Sequence, residues 1–191
     1  MRKAPNIVGG LSAFHDFSPL VGALAAECSP TTVERVATTR IGRHIGAPRS
    51  VVYRLLIDAD AVRTWMVPTG MTSRVHEFDP TPGGAFRISL TYDEPTAVGK
   101  TSAHTDTFGG RFVTLVPDEQ VVQIVEFVTE NPDIRGEMTI TYRLADAEHG
   151  GTDLVALHDG VPPGVAPDEN ELGWRISLGK LAELAESLST H

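Results

Sequence analysis

Hydrophobic and polar side chains alternate in the middle of the chain, and this alternation predicts β-strands. In residues 85–92 and 138–144 apolar side chains occupy every second position. A period of two is typical of a strand with one buried face. Similar patterns predict strands over residues 38–45, 71–78, 102–116, 120–129 and 152–159. The chain is therefore expected to contain six to seven strands in an antiparallel meander. Gly109-Gly110 is expected to bend or bulge one of them.

Helical spacing predicts two short helices after the first strand and a long one at the C-terminus. Apolar residues share one face just after Ala47-Pro48, and a second short helix is predicted over residues 58–66. The long helix is expected from about Asp168 to Leu188, with Asp168 and Glu171 at capping-box spacing. Its apolar stripe consists of Trp174, Leu178, Leu181, Ala185 and Leu188. That stripe must pack on the sheet, which is the only large apolar surface predicted.

This order of elements predicts an α+β domain over residues 37–191, in which a curved sheet wraps around the long helix. Residues 1–36 carry several prolines and glycines and no strand alternation. They are expected to form an N-terminal extension that is partly helical or mobile.

The composition and charge of the chain exclude some classes of binding partner. The chain has 191 residues, a net charge of −9 and one cysteine, Cys28. An acidic balance argues against nucleic acid and against an anionic membrane surface. A single cysteine excludes a disulfide within the chain, which suits a reducing cytoplasm. We therefore expect a cytoplasmic protein with no nucleic-acid or membrane partner.

Several short motifs occur across residues 37–188 in the order in which a known protein family carries them. They include Gly46-Ala47-Pro48, Gly83-Gly84-Ala85-Phe86, Pro117-Asp118-Glu119, Gly151-Thr152-Asp153-Leu154 and Gly173-Trp174. In this the chain resembles the START-like, or SRPBCC, superfamily. It is most similar to the bacterial branch related to the activator of the heat-shock-protein ATPase, which is grouped with polyketide-cyclase-like proteins. The resemblance implies a helix-grip fold with a cavity between the sheet and the C-terminal helix.

That cavity is the first candidate site. If the inward strand faces meet the long helix, a mainly apolar set of side chains surrounds it, as in most small-molecule sites. The expected ligand-binding residues are Trp65, Phe86, Ile88, Tyr92, Met138, Ile140, Tyr142, Leu154, His158, Trp174 and Leu178. The competing interpretation is that these side chains fill the space completely.

Two residues are candidates for acid–base chemistry. His158 shares a strand face with Leu154 and Ala156, so it should point inward, where it can exchange a proton or anchor a ligand carbonyl. Glu126 interrupts an apolar strand and is a second candidate, although it can equally face solvent. His104 and Asp106 are two apart on one strand, but without a third ligand they are expected to be surface residues. We expect no metal and no cofactor.

Three functions remain open. The leading hypothesis is binding of a small hydrophobic or aromatic molecule in the cavity. An enzyme of the polyketide-cyclase or hydratase type, using His158 or Glu126, is the first alternative. A chaperone-associated interaction module is the second. A homodimer is compatible with each of them.

Overall fold

The computed structural model describes residues 37–190, so the predicted extension over residues 1–36 lies outside the described residues. Ten elements follow one another along the chain. They are β1 (Ala37–Ile45), α1 (Arg49–Leu56), α2 (Ala59–Trp65), β2 (Met71–Phe78), β3 (Ala85–Tyr92), β4 (Thr105–Val116), β5 (Gln120–Phe127), β6 (Met138–Asp146), β7 (Thr152–Val161) and α3 (Pro167–Ser189). The predicted α+β fold is confirmed.

The strands form one seven-stranded antiparallel sheet in the order β1-β7-β6-β5-β4-β3-β2. Strands β2 to β7 make a meander, and β1 joins it by pairing with β7. The alternation that predicts β3 and β6 matches their burial, because Phe86, Ile88 and Met138 face the core. The buried side chains on one face of the sheet therefore form the surface on which the helices pack.

The predicted bulge at Gly109-Gly110 is wrong. The register of β4 with β5 runs without interruption through both glycines and shifts only between Phe112 and Thr114. The glycines instead allow close approach of neighbouring backbones. A Cβ at Gly110 would overlap the carbonyl oxygen of Ile124 on β5.

The two short helices connect β1 to β2 and are joined to each other by a hydrogen bond. Helix α1 starts directly after Pro48. Asp58 caps α2, because its carboxylate accepts a 2.8 Å hydrogen bond from the backbone N–H of Ala61. The indole N–H of Trp65, at the end of α2, donates to the carbonyl of Leu55 at 2.9 Å. The two helices therefore pack as one unit over the core.

Helix α3 packs on β1, α1 and α2, mainly through its C-terminal half. Leu178, Leu181 and Ala185 are buried as the stripe predicts, but Leu188 is 54% exposed because the core ends one turn earlier. The predicted capping box is also wrong. The helix starts at Pro167, so Asp168 lies inside the first turn and no side chain caps the N-terminus.

Two polar contacts attach α3 to the rest of the domain. The ammonium of Lys180 donates to the carbonyl of Val67 at 2.6 Å, and Glu186 accepts from the backbone N–H of Gly46 at 2.9 Å. These contacts hold the helix against the α2–β2 and β1–α1 connections. Within residues 37–190, no helix is both long and apolar enough to cross a membrane.

Candidate functional site

A cavity of about 370 Å³ lies between the sheet and the N-terminal half of α3. The C-terminal half of the helix is packed against the core, whereas the first three turns stand over open space. The segment from Met66 to Met71 completes the wall. Most of the lining is apolar, and its larger side chains are Phe86, Tyr92, Phe108, Phe127, Met138 and Trp174.

His158 on β7 points into the cavity and is held there by α3. Its Nδ1 lies 3.2 Å from the side-chain nitrogen of Asn170, which also donates to the Thr39 hydroxyl at 3.1 Å. Because the amide donates to Nδ1, the ring proton is on Nε2, which faces the sulfur of Met138 at 3.3 Å. The imidazole therefore presents a donor whose only hydrogen-bond partner among the described residues is a weak acceptor.

The same histidine is neutral at physiological pH. Burial lowers its pKa to about 4, and the nearby carboxylate of Asp159 offsets only part of this effect. A ring with this pKa is a poor base near pH 7. It suits hydrogen bonding to a ligand better than proton transfer.

Trp174 on α3 connects His158 with the aromatic core. Its ring lies 5.6 Å from the imidazole and 5.8 Å from the ring of Tyr142, measured between centroids. These are normal separations for packed aromatic rings. Trp174 therefore forms a flat part of the cavity wall beside His158.

A charged pair forms the polar corner of the cavity. The Asp106 carboxylate is 5% exposed and accepts from the Lys100 ammonium at 3.1 Å, from the Lys100 backbone N–H, and from the Tyr92 hydroxyl at 3.4 Å. Burial acts to lower the pKa of Lys100, but Asp106 outweighs it, so the pKa is raised. Both groups are charged, and the corner carries no net charge.

Gln123 on β5 is the third polar feature. It is 4% exposed and lines the cavity. Its carboxamide makes no hydrogen bond with any side chain or backbone group of residues 37–190. Because it lines the cavity without a hydrogen-bond partner among these residues, this amide is a candidate ligand contact.

The structure brings together about half of the residues expected from the sequence. The cavity is lined by Phe86, Tyr92, Met138, Ile140, His158 and Trp174. The others lie in the solid core, away from its lining, and they are Trp65, Ile88, Tyr142, Leu154 and Leu178. Their side chains fill the end of the domain where α1, α2 and the C-terminal half of α3 meet the sheet, so no space remains beside them.

Glu126 is placed on the opposite face of the sheet from the cavity. Val125 and Phe127 line the cavity from β5, so the exposed Glu126 between them points outward. A role for Glu126 in the cavity is therefore not retained. Arg87, Arg111 and Arg143 are likewise exposed.

His104 and Asp106 differ from the expected surface pair. The exposed His104 ring bonds to the carbonyl of Ala97, whereas Asp106 is buried beside Lys100. Residues 37–190 contain no group of three or more His, Cys, Asp or Glu side chains placed to hold a metal ion.

Sequence reasoning missed Lys100, Gln123 and Asn170. For Gln123 a signal existed, because it alternates with Val121 and Val125 on β5. The apolar residues Val122 and Ile124 on the other face obscured that period. The contact of Lys100 depends on the conformation of a loop, and that of Asn170 depends on how α3 is rotated about its axis. Neither produces a periodic pattern in the sequence.

Comparisons with known proteins agree with this architecture. The family model described as Activator of Hsp90 ATPase homolog 1-like protein matches residues 46–186. Among solved structures, the chain is similar to protein CV1439 from Chromobacterium violaceum, with 33% identity and a TM-score of 0.70 over 78% of this chain and 96% of that one. A comparison with curated proteins finds no match.

Two more distant structures share the fold. A protein from Rhodobacter sphaeroides has 20% identity and a TM-score of 0.65, over 81% of this chain and 98% of that one. A protein from Rhizobium leguminosarum has 24% identity and a TM-score of 0.61, over 80% and 96%.

Proposed function

Because the chain belongs to the family of Activator of Hsp90 ATPase homolog 1-like proteins, we propose that it uses the helix-grip cavity of that fold to bind a small, uncharged, mainly aromatic molecule. The observation that carries this proposal is the cavity of about 370 Å³ beneath α3. Cavities that hold small molecules measure roughly 300–1,000 Å³ and are mainly apolar with a few polar groups. A volume near the lower end favours a compound of one or two rings.

The charges around the cavity favour an uncharged ligand. Lys100 and Asp106 neutralise each other, and His158 is neutral at physiological pH. Glu169 is exposed at the cavity wall and would repel an anion. An anionic ligand would lose its hydration without gaining an ionic partner, which is costly in an apolar site.

The enzyme alternative receives less support. A hydratase or cyclase needs a base that is active near neutral pH, and the low pKa of His158 does not supply one. The other candidate, Glu126, faces away from the cavity. The family name refers to a chaperone activator, and the cavity by itself gives no support to that activity in this chain.

The test compares 2-naphthol with the similarly sized anion 2-naphthoate at pH 7.5. At 100 times the dissociation constant, a ligand stabilises the folded state by about 2.7 kcal/mol. For a domain of this size that raises the melting temperature by roughly 5–10 °C. We expect such a shift with 2-naphthol and binding at least tenfold weaker with 2-naphthoate.

A cavity-blocking variant shows where binding occurs. Gly173 lines the cavity from α3, and a Cβ at this position meets no atom within 4 Å. Gly173→Phe should therefore fill the space and abolish binding, while Gly173→Ala, which makes the same backbone change, should retain it. Equal binding by the two variants, or no thermal shift in the unmodified protein, would contradict the proposal.

A further inference from the structure

Gln123 has hydrogen-bonding groups that the described protein does not use. Its side chain lies among apolar neighbours in the cavity, and neither the carbonyl oxygen nor the NH₂ group finds a partner within residues 37–190. Both groups are therefore available for hydrogen bonds with a molecule that occupies the cavity.

The sheet register places this amide in one row with His158. Gln123 is opposite Ile140 on β6, and Ile140 is opposite His158 on β7. All three side chains face inward, and two strand spacings separate Gln123 from His158, which is about 10 Å between backbones. The Nε2–H of His158 faces only the Met138 sulfur. The row therefore offers one amide and one additional donor to the same region of the cavity.

The chemistry of the amide defines what it can recognise. A carboxamide presents one donor and one acceptor side by side, so its complement is an acceptor next to a donor. The cyclic lactam edge, with a carbonyl beside an N–H, is an uncharged group of this kind. The aromatic rings of Trp174 on α3 and Phe108 on β4, which both line the cavity, suit a flat ring attached to such an edge.

We propose that Gln123 is the specificity-determining residue of the cavity and selects ring compounds that carry a lactam-type donor–acceptor edge. This inference rests on the proposed binding function and adds the ligand class. Sites built around a hydrogen-bonding group discriminate strongly against analogues that leave the group unpaired.

The experiment uses two isomers of equal size. In 4-methyl-2-quinolinone the lactam N–H is free, whereas in 1-methyl-2-quinolinone the methyl group replaces it. Both are titrated by calorimetry into the full-length protein, and 2-naphthol serves as the reference without a lactam. We expect the 4-methyl isomer to bind at least tenfold more tightly than the 1-methyl isomer.

Two variants assign this preference to residue 123. Gln123→Met keeps the length of the side chain and removes the amide, so the ratio between the isomers should fall to within about threefold. Gln120→Met makes the same change on β5 outside the cavity lining and should keep the ratio.

The outcomes separate this inference from the binding function. Equal affinity for the two isomers in the unmodified protein, with 2-naphthol still bound, would overturn the role of Gln123 and leave the binding function standing. An unchanged isomer ratio in Gln123→Met would do the same. If neither isomer nor 2-naphthol binds, the binding function fails and this inference fails with it.

Discussion

The side-chain nitrogen of Asn170 lies 3.2 Å from Nδ1 of His158 and joins α3 to β7 at the wall of the cavity. The same nitrogen reaches the Thr39 hydroxyl, so one amide holds the last strand and the first strand to the helix. This contact orients the imidazole, and the amide NH₂ that donates to Nδ1 places the ring proton of the neutral form on Nε2. The position of the helix and the tautomer of the histidine are therefore linked.

Asn170→Asp should raise the pKa of His158 by one unit or more. A carboxylate next to Nδ1 favours the imidazolium form more strongly than the amide does, because it adds a negative charge. The measurement is an NMR titration of the histidine Cε1–H signal, starting from a pKa of about 4 in the unmodified protein. Asn131→Asp, in a surface connection, is the control and should leave the value unchanged. An unshifted pKa in Asn170→Asp would show that the two side chains are not adjacent.

His158 should make the protein less stable as the pH falls. Its pKa is about 4 when folded and 6.5 in the reference state. Below pH 6.5 the unfolded chain binds a proton that the folded protein excludes, so stability is lost as the pH decreases towards 4. The full difference is about 3 kcal/mol. Urea unfolding between pH 7.5 and 4 measures it.

His158→Gln should reduce that pH dependence, whereas His149→Gln should not. His149 is exposed in the β6–β7 turn and serves as the matched substitution. The carboxylates titrate in all three proteins, so the difference between the variants isolates His158. If the free energy of unfolding changed with pH equally in the unmodified protein and in His158→Gln, this prediction would be refuted.

The fold followed from the sequence because its signals are local and repeated. Strands β3 and β6 alternate strictly, and α3 carries a stripe at helical spacing, so each element is determined by its own residues. Apart from the bulge predicted at Gly109-Gly110, the errors occur at element ends. The start of α3 at Pro167 and the exposure of Leu188 depend on where the core stops, which no single segment encodes.

The candidate site was less predictable for the same reason. Periodicity places His158, Met138 and Trp174 on inward faces, but it does not say which part of that surface is filled. Tyr142 and Leu154 face inward too and lie in the packed core. Only the position of α3 across the sheet distinguishes the two groups, and that is a property of tertiary packing.

Breaking the Lys100–Asp106 pair from the lysine side should destabilise the protein. Lys100→Met leaves a buried carboxylate with hydrogen bonds but no counter-charge, and we expect a loss of about 1–3 kcal/mol. The estimate is below that for a fully buried pair because Lys100 is 33% exposed. Chemical denaturation at pH 7 measures the loss.

Neutralising the partner should restore part of this stability. The double variant Lys100→Met with Asp106→Asn should be more stable than Lys100→Met alone, because the unpaired charge is gone. Arg111→Met breaks the exposed pair with Glu137 and should cost less than about 1 kcal/mol. A double variant less stable than the single one would mean that the Asp106 charge is not the source of the cost.

Tyr142→Phe should stabilise the protein by about 1 kcal/mol. The Tyr142 hydroxyl is buried without a hydrogen-bond partner in residues 37–190, so removing it relieves an unpaired polar group. Tyr92→Phe is the contrasting variant and should destabilise, because its hydroxyl bonds to Asp106. A loss of stability in Tyr142→Phe would reveal a partner such as a bound water. Ligand affinity should not change in this variant, since Tyr142 lies outside the cavity lining.

Gly173 and Gly110 should respond in opposite directions to alanine. A Cβ at Gly173 meets open space, so Gly173→Ala should stabilise the helix by about 0.5–1 kcal/mol. Gly110→Ala should destabilise by about 3 kcal/mol or more, because the new Cβ overlaps the backbone of β5. Thermal and urea unfolding of both variants give the comparison.

Gly179→Ala, whose Cβ would lie 4.0 Å from Arg43, should behave like Gly173→Ala and controls for helix propensity alone. If Gly173→Ala were instead destabilising while Gly179→Ala was not, the space beneath α3 would be smaller than the structure shows, and the cavity that supports the binding function would be in question.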